Sequence, residues 1–186
     1  MASPVENGLT VDDLARFDDD ERHKHELIDG ELFVSPKGVL RHQHVATRLA
    51  HRLLDWADAH GAAAFVEPDV SYTDRDYVIP DVVLLVAETI ARVDEQRPIE
   101  TTPDLIAEVS SPSTRRLDLV RKRALYEREG VPEYWFVDLD ADRIEIYRLA
   151  DGRYGQPELV GAGGVLRAAH LEGLAVEVDD ILRPLR

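Results

Sequence analysis

The sequence contains no cysteine, which excludes disulfides, a thiolate nucleophile and any zinc or iron–sulfur site with cysteine ligands. No apolar stretch approaches the roughly 20 residues that a membrane-spanning helix needs, and residues 1–8 lack the basic and apolar regions of a signal peptide. A metal ion must therefore bind to carboxylates, histidines or carbonyl groups. We expect a cytoplasmic protein that does not associate with membranes.

Basic residues are also scarce, since 22 lysines and arginines face 37 acidic residues and the net charge is −15. Such a charge argues against a protein that coats nucleic acid by bulk attraction to phosphates. It still permits a small cationic zone beside a carboxylate site, and two groups of basic residues are candidates for it, with solvated helix faces as the alternative. The groups are Arg115, Arg116, Arg121, Lys122, Arg123 and Arg128, and Lys37, Arg41, Arg48 and Arg52.

The length of 186 residues and the 44% apolar content predict one domain over residues 1–186, with its core at about residues 22–148. Asp29-Gly30 between alternating residues predicts a hairpin. Val45, Leu49 and Leu53 recur at helical spacing and predict a helix that ends at Gly61. The acidic run 18–21 is predicted to be a hydrated loop.

The later part of the chain alternates buried strands and helices. Residues 81–86 and 103–109 are nearly continuous apolar runs, as expected of strands buried on both faces. Residues 114–129 predict a helix closed by Gly130, and residues 133–138 predict a further core strand. The expected class is therefore α/β, with a mixed central sheet flanked by helices, an N-terminal hairpin and a C-terminal β extension.

Two of these buried strands carry a carboxylate at a position where the apolar pattern predicts an apolar residue, namely Asp81 and Glu108. Buried carboxylates are costly unless they are paired or bound to a metal. If the strands are neighbours, the two side chains form an oxygen-rich site suited to Mg²⁺ or Mn²⁺. Lys122, on the helix that follows the Glu108 strand, can supply a cation beside it.

Each residue also has an ordinary structural explanation. Asp81 could end a strand, Glu108 could pair with an arginine, and Lys122 could pair with Asp118 on an exposed helix face. Taken in order along the chain, the three residues together favour a site.

Other polar residues were weighed in the same way. Gln43 either faces a metal or is exposed on its helix. Histidines 42, 44 and 51 lack the spacing of a zinc-binding helical pair and are predicted to be surface or partly buried residues. Tyr126 and Trp135 are predicted to pack in the core, and Ser110 and Ser111 to form a strand-to-helix turn rather than a nucleophile.

Several short sequence motifs occur in a characteristic order over about residues 25–148. They are His25-Glu26-Leu27-Ile28-Asp29-Gly30-Glu31-Leu32, Ser35-Pro36, Arg41-His42-Gln43, Pro80-Asp81, Pro103-Asp104-Leu105 with Glu108-Val109, Ser111-Pro112-Ser113-Thr114, Asp118 with Lys122 and Tyr126, and Gly130-Val131-Pro132-Glu133-Tyr134-Trp135. In these motifs the chain resembles the Uma-two family of bacterial restriction endonucleases, members of the PD-(D/E)XK nuclease superfamily.

The resemblance implies a restriction-endonuclease-like core in which Asp81 and Glu108 bind the metal, Lys122 is the cationic catalytic residue and Glu26 joins them from the N-terminal hairpin. It also implies a homodimer with a DNA substrate. Two positions depart from the family pattern. Ser110 stands where the superfamily motif has its lysine, so that role moves to Lys122, and His25 replaces a frequent aromatic residue and is predicted to be inert.

Three functions are consistent with these residues. The first is hydrolysis of DNA phosphodiester bonds by a metal-dependent endonuclease. The second is a non-catalytic dimeric protein with a nuclease fold that binds or regulates, for which the acidity argues. The third is a glycosidase that uses Glu26 and Glu108.

Overall fold

The structure is a computed structural model that describes residues 4–17, 20 and 22–184. Its strands are β1 (Pro4–Asn7), β2 (His23–Ile28), β3 (Glu31–Pro36), β4 (Ala63–Val66), β5 (Val70–Thr73), β6 (Asp76–Val78), β7 (Val82–Leu85), β8 (Leu105–Val109), β9 (Glu133–Asp138), β10 (Arg143–Ala150), β11 (Arg153–Tyr154), β12 (Glu158–Gly161), β13 (Val165–Arg167) and β14 (Ala175–Glu177). Its α-helices are α1 (Leu40–His60), α2 (Ala87–Ile90), α3 (Arg123–Arg128) and α4 (Val178–Leu182). A 3-10 helix spans Val11–Phe17, and a π-helical segment, Leu117–Lys122, leads directly into α3.

The central sheet carries most of the core and has the strand order β11-β10-β9-β8-β7-β4, with β12 also paired to β10. It is mixed, because β8 and β9 are parallel whereas β7 runs antiparallel to β8. A second sheet has the order β1-β3-β2-β6-β5, and β13 pairs with β14 near the C-terminus. The predicted α/β class, with its N-terminal hairpin and C-terminal β extension, is confirmed.

One face of the central sheet is covered by α1. The stripe of Val45, Leu49 and Leu53 packs against β7, β8 and β9, together with apolar residues from the C-terminal strands. The helix ends where Gly61 adopts a left-handed conformation with φ of 65°, as the sequence predicts. This packing fixes the N-terminal turn of α1 beside the ends of the strands.

The opposite face of the sheet packs against α3 and the second sheet. Ile106, Tyr134 and Phe136 project into this layer and contact apolar residues such as Leu125 and Phe33. The β2–β3 hairpin turns at Asp29-Gly30, where both residues have positive φ, as a type I′ turn requires. The hairpin therefore brings β2 close to the helix that follows β8.

The predicted helix over residues 114–129 forms, but a π-helical segment interrupts its regular winding. Asp118 and Lys122 both belong to this segment, and both are buried, at 2% and 3% exposure. The alternative of an exposed Asp118–Lys122 pair is therefore wrong. Such π segments are frequent at functional sites.

The acidic run predicted as a loop falls largely outside the described part of the chain, because Asp18, Asp19 and Glu21 are not described. Among the residues that are described, no helix has both the length and the hydropathy to cross a membrane.

Shortening Leu49 to alanine tests the packing that holds α1 on the sheet. Leu49 is fully buried, so Leu49→Ala should lower the free energy of unfolding by about 2–5 kcal/mol through lost burial and a cavity. Leu54→Ala on the same helix is the matched control, because Leu54 is 38% exposed and should lose about 1 kcal/mol or less. Urea denaturation measures both, and equal losses would contradict this packing.

Candidate functional site

The Asp81 and Glu108 side chains meet because of the register of β7 and β8. Val82 pairs with Ala107 in this antiparallel ladder, so the next rung places Asp81 opposite Glu108. The Asp81 backbone N–H donates to Glu108 Oε2 at 3.3 Å, and the Val109 N–H donates to Asp81 Oδ2 at 2.8 Å. Two buried carboxylates thus lie side by side at the end of the central sheet.

Lys122 reaches this pair from the π-helical segment. Its ammonium group lies 2.9 Å from Glu108 Oε1 and 2.7 Å from Glu26 Oε1. Asp118, one turn earlier, lies 3.9 Å from the same ammonium. The hydroxyl of Tyr126 donates to Glu108 Oε1 at 2.7 Å, so this predicted core residue also touches the site.

The neighbouring strand β2 contributes two side chains on one face. Lys24 and Glu26 are two residues apart and both buried, as the alternation of a strand requires. Glu26 Oε1 accepts a hydrogen bond from the Ile79 N–H at 2.8 Å. Lys24 donates to Asp81 Oδ1 at 2.7 Å and also lies 3.0 Å from Glu67 Oε1.

His42 completes the arrangement from the first turn of α1. Its Nε2 lies 2.9 Å from Asp81 Oδ2, and its Nδ1 is buried without a hydrogen-bond partner. Gly38 packs directly over the ring, and a Cβ added there would lie 2.6 Å from His42 Cγ. The glycine therefore allows the chain to pass close to the imidazole that holds Asp81.

The cluster contains more negative than positive charge. Its four carboxylates belong to Glu26, Asp81, Glu108 and Asp118, whereas its cations are two lysines and, when protonated, His42. Burial is the largest influence on the pKa values of the cluster, and its charged groups act on them in addition.

The pKa shifts follow from burial and from this excess. Burial is the main cause that raises the pKa of Glu108; the Lys122 ammonium opposes this rise, and the Asp81 and Glu26 carboxylates add to it. Although burial lowers the pKa of Lys122, the carboxylates of Glu108 and Glu26 raise it well above its usual range. Asp81 is the exception: burial raises its pKa, but the His42 hydrogen bond and the Lys24 ammonium hold it below its usual range.

These side chains line a narrow cleft with a free volume of about 20 Å³, which has room for roughly one water molecule or ion. Its lining consists of Lys24, Glu26, Ser35, Pro36, Gly38, His42, Asp81, Glu108, Ser111, Thr114, Asp118 and Lys122. The cleft thus has space for a small polar species beside the carboxylates.

Two observations test whether the cleft suits a divalent cation. Within residues 4–17, 20 and 22–184, no three histidine or acidic side chains are grouped so that they could hold a metal by themselves. The adjacent carboxylates of Asp81 and Glu108 nevertheless match the one or two carboxylates with which proteins usually bind Mg²⁺, whose other ligands are water and phosphate oxygens. The excess negative charge is of the sign that a divalent cation neutralises, so the residues fit such an ion.

All four residues predicted from the sequence, Asp81, Glu108, Lys122 and Glu26, line this cleft. Sequence reasoning missed Lys24, and the prediction that His42 is a surface or partly buried residue is wrong, because it is 7% exposed and lines the cleft. Each had a signal: Lys24 alternates with Glu26 along β2, and His42 begins the helical stripe that continues through Val45.

Other candidates lie away from the cleft or have structural roles. Gln43 is exposed, so it does not face the carboxylates. His25 stacks on Phe17 with ring centroids 4.7 Å apart and does not line the cleft. Ser111 Oγ accepts from the Thr114 N–H at 3.2 Å, as expected of the predicted strand-to-helix turn.

Most of the basic residues near the site are already paired. Arg115 binds Asp138, Arg121 binds Glu31, and Arg128 binds Asp29 and Asp76. Lys37 and Arg116 differ, since both are exposed and no ion pair is found for them within the described part of the chain. Each is also close in sequence to residues that line the cleft.

Comparisons with known proteins agree with this arrangement of elements. The sequence matches the family model of Uma2, described as "Putative restriction endonuclease", over residues 11–179. An uncharacterized protein of Synechocystis sp. is 26% identical over 147 residues, which covers 77% of this chain and 75% of that protein. A crystal structure titled as a putative nuclease of the DUF820 group from Anabaena variabilis superposes with a TM-score of 0.77 at 18% identity, covering 94% of this chain and 98% of the other.

Adding a methyl group at Gly38 should displace His42. Because the new Cβ would overlap the imidazole, Gly38→Ala should break the hydrogen bond to Asp81 and lower the raised pKa of His42 toward its ordinary value. Gly155→Ala is the control, since a Cβ there meets nothing within 4 Å. NMR titration of the imidazole protons measures the pKa, and an unchanged value in Gly38→Ala would show that the glycine does not position His42.

Proposed function

The chain belongs to the Uma2 family, and from that membership we propose that it is a Mg²⁺- or Mn²⁺-dependent endonuclease that hydrolyses DNA phosphodiester bonds. The observation that carries the proposal is the side-by-side placement of Asp81 and Glu108 in a narrow cleft with the Lys122 ammonium bound to one of them. Adjacent carboxylates and a cation are the groups that phosphodiester hydrolysis needs.

Asp81 and Glu108 are the proposed metal ligands, and Glu26 acts on the site through its ion pair with Lys122. When bound there, the ion would lower the pKa of a water molecule and stabilise the charge that develops on the phosphate. The free volume beside the carboxylates accommodates one such small species. The backbone N–H groups of Asp81 and Val109 hold the two carboxylates in fixed orientations.

Lys122 is the proposed cationic catalytic residue. Its raised pKa keeps the ammonium protonated, so it acts through its charge and its N–H donors rather than as a base. Glu26 and Glu108 are its acceptors within the protein, and a phosphate oxygen is the proposed acceptor for its third N–H. Glu26 orients the ammonium, because it is itself held by the Ile79 N–H.

Lys37 and Arg116, for which the described residues provide no ion-pair partner, support binding of an anionic polymer despite the acidic surface. Lys37 lies between Pro36 and Gly38, and Arg116 follows Thr114 by two residues, so both are close in sequence to residues that line the cleft. Phosphates on either side of the scissile bond are suitable partners for them. Binding should accordingly weaken as the salt concentration rises.

The second candidate function is a non-catalytic binding or regulatory protein with the same fold. It is favoured by one observation: every carboxylate oxygen of Asp81 and Glu108 already has a hydrogen-bond partner within the protein. A protein of this kind would bind Mn²⁺ or DNA without turnover. The homodimer, the cytoplasmic location and a single domain over residues 1–186 also stay predictions from the sequence.

Replacing Asp81 by asparagine tests the assignment most simply. Asp81→Asn keeps the size of the side chain but removes its charge, so Mg²⁺- or Mn²⁺-dependent cleavage of DNA should fall by on the order of 10²–10³-fold. Asp138→Asn is the matched control, because Asp138 is equally buried but pairs with Arg115 outside the cleft. Cleavage of plasmid and single-stranded DNA is followed with and without chelator, with circular dichroism to verify folding.

Two results would contradict the proposal. Equal cleavage by the wild type and Asp81→Asn would remove Asp81 from the mechanism. Binding of Mn²⁺ and DNA by the wild type with no cleavage of any nucleic acid would favour the non-catalytic protein instead.

A further inference from the structure

The Lys24 ammonium contacts Asp81 Oδ1, one of the two carboxylate oxygens that Asp81 could offer to a metal ion. The ammonium lies 2.7 Å from Asp81 Oδ1, closer than a typical ion pair requires, and the Lys24 side chain is only 9% exposed. Asp81 Oδ2 is taken by His42 Nε2 and by the Val109 N–H. A divalent ion that uses Asp81 must therefore share with or displace one of these three groups.

The three groups differ in how easily they can move. The Val109 N–H belongs to the backbone of a central strand, and the His42 ring is confined beneath Gly38. Lys24 ends in a flexible four-carbon side chain, which can change rotamer without moving β2. Lys24 is thus the partner that can leave Asp81 with the least disturbance.

A second acceptor for the ammonium is already in place. Glu67 Oε1 lies 3.0 Å from Lys24 Nζ, and the Glu67 side chain is 38% exposed, so the two residues form a bridge from the buried carboxylate to solvent. Glu67 adopts a positive φ of 49°, which is unfavourable for a glutamate, and its N–H donates to the Asp81 carbonyl at 3.1 Å. Residues held in such conformations cluster at functional sites.

We propose that Lys24 is an internal counter-cation for Asp81, which holds the carboxylate in the metal-free protein and moves onto Glu67 when a divalent cation binds. Lys24 is on this account a positioning residue that sets the affinity for the metal, and Glu67 is its second position. The proposal rests on the metal site of the proposed function but not on nuclease activity.

The competition gives Lys24 an effect opposite to that of a structural residue. Loss of Lys24 leaves Asp81 with an unneutralised charge, so the metal-free protein becomes less stable while the site attracts Mn²⁺ more strongly. A lysine that only supports the fold would lower stability without increasing the affinity for Mn²⁺. The sign of the change in metal affinity therefore separates the two roles.

Calorimetric titration with Mn²⁺ alone, in the absence of nucleic acid, provides the test. Lys24→Met should bind Mn²⁺ at least roughly tenfold more tightly than the wild type, because a unit charge a few ångströms away is removed. Arg153→Met is the control: it removes a positive charge from an exposed side chain on β11, outside the cleft, and should change the affinity by less than about twofold.

Movement of the Lys24 ammonium onto the Glu67 carboxylate is tested by a double-mutant cycle. Glu67→Gln removes the second position, so it should weaken Mn²⁺ binding by roughly threefold or more in the wild-type background. In the Lys24→Met background it should have no effect, since no ammonium remains to be received. Equal weakening in both backgrounds would mean that Glu67 acts only through its charge, and would overturn the proposal.

Lys24→Arg covers the case in which Lys24→Met does not fold. A guanidinium can form two parallel hydrogen bonds to a carboxylate, so the arginine should hold Asp81 more firmly than the lysine does. This variant should therefore bind Mn²⁺ more weakly than the wild type. Unchanged or stronger binding by Lys24→Arg, or unchanged binding by a folded Lys24→Met, would overturn the proposal. An active nuclease with those results would leave the proposed function intact, whereas tighter binding in Lys24→Met without any cleavage would overturn only the proposed function.

Discussion

Two carboxylates that are buried next to each other form the constraint on which the rest of the site depends. The ladder between β7 and β8 forces Asp81 and Glu108 together, and their mutual repulsion and loss of solvent are unfavourable unless cations approach them. Those cations come from separate elements: Lys24 from β2, His42 from α1 and Lys122 from the π-helical segment. The electrostatic requirement of the carboxylates thus connects both sheets and both long helical segments at one point.

Compensation of the negative charge within the cluster is incomplete. The pKa of Glu108 and that of Asp118 are raised by burial and by neighbouring carboxylates, as expected where negative charge is in excess. A site that needed only stability would contain fewer carboxylates or more cations. The excess favours a further cation, and a phosphate group brought in with it would meet the Lys122 ammonium. The same imbalance makes the cluster sensitive to each of its lysines.

Local features of the sequence predicted most of the fold. Asp29-Gly30 specifies the β2–β3 turn, and Gly61 ends α1. Both features depend on the conformational preferences of one or two residues, so the local sequence was sufficient to predict them. Asp81 and Glu108 were found because a charge in an apolar strand is anomalous. Lys24 and His42 were missed because their partner, Asp81, lies 57 and 39 positions further along the chain, and only the pairing of strands brings them together. The π-helical segment was missed for a similar reason, since sheet packing rather than helix propensity decides which residues it buries.

A direct measurement of the central claim is an anomalous difference map from crystals soaked in Mn²⁺. If Asp81 and Glu108 form a metal site, the map should contain a peak within about 2.0–2.6 Å of an oxygen from each carboxylate. Lys122 should remain in contact with Glu108 in the same crystal. A peak elsewhere on the protein, with the two carboxylates still bound only to Lys24, His42 and Lys122, would contradict the account.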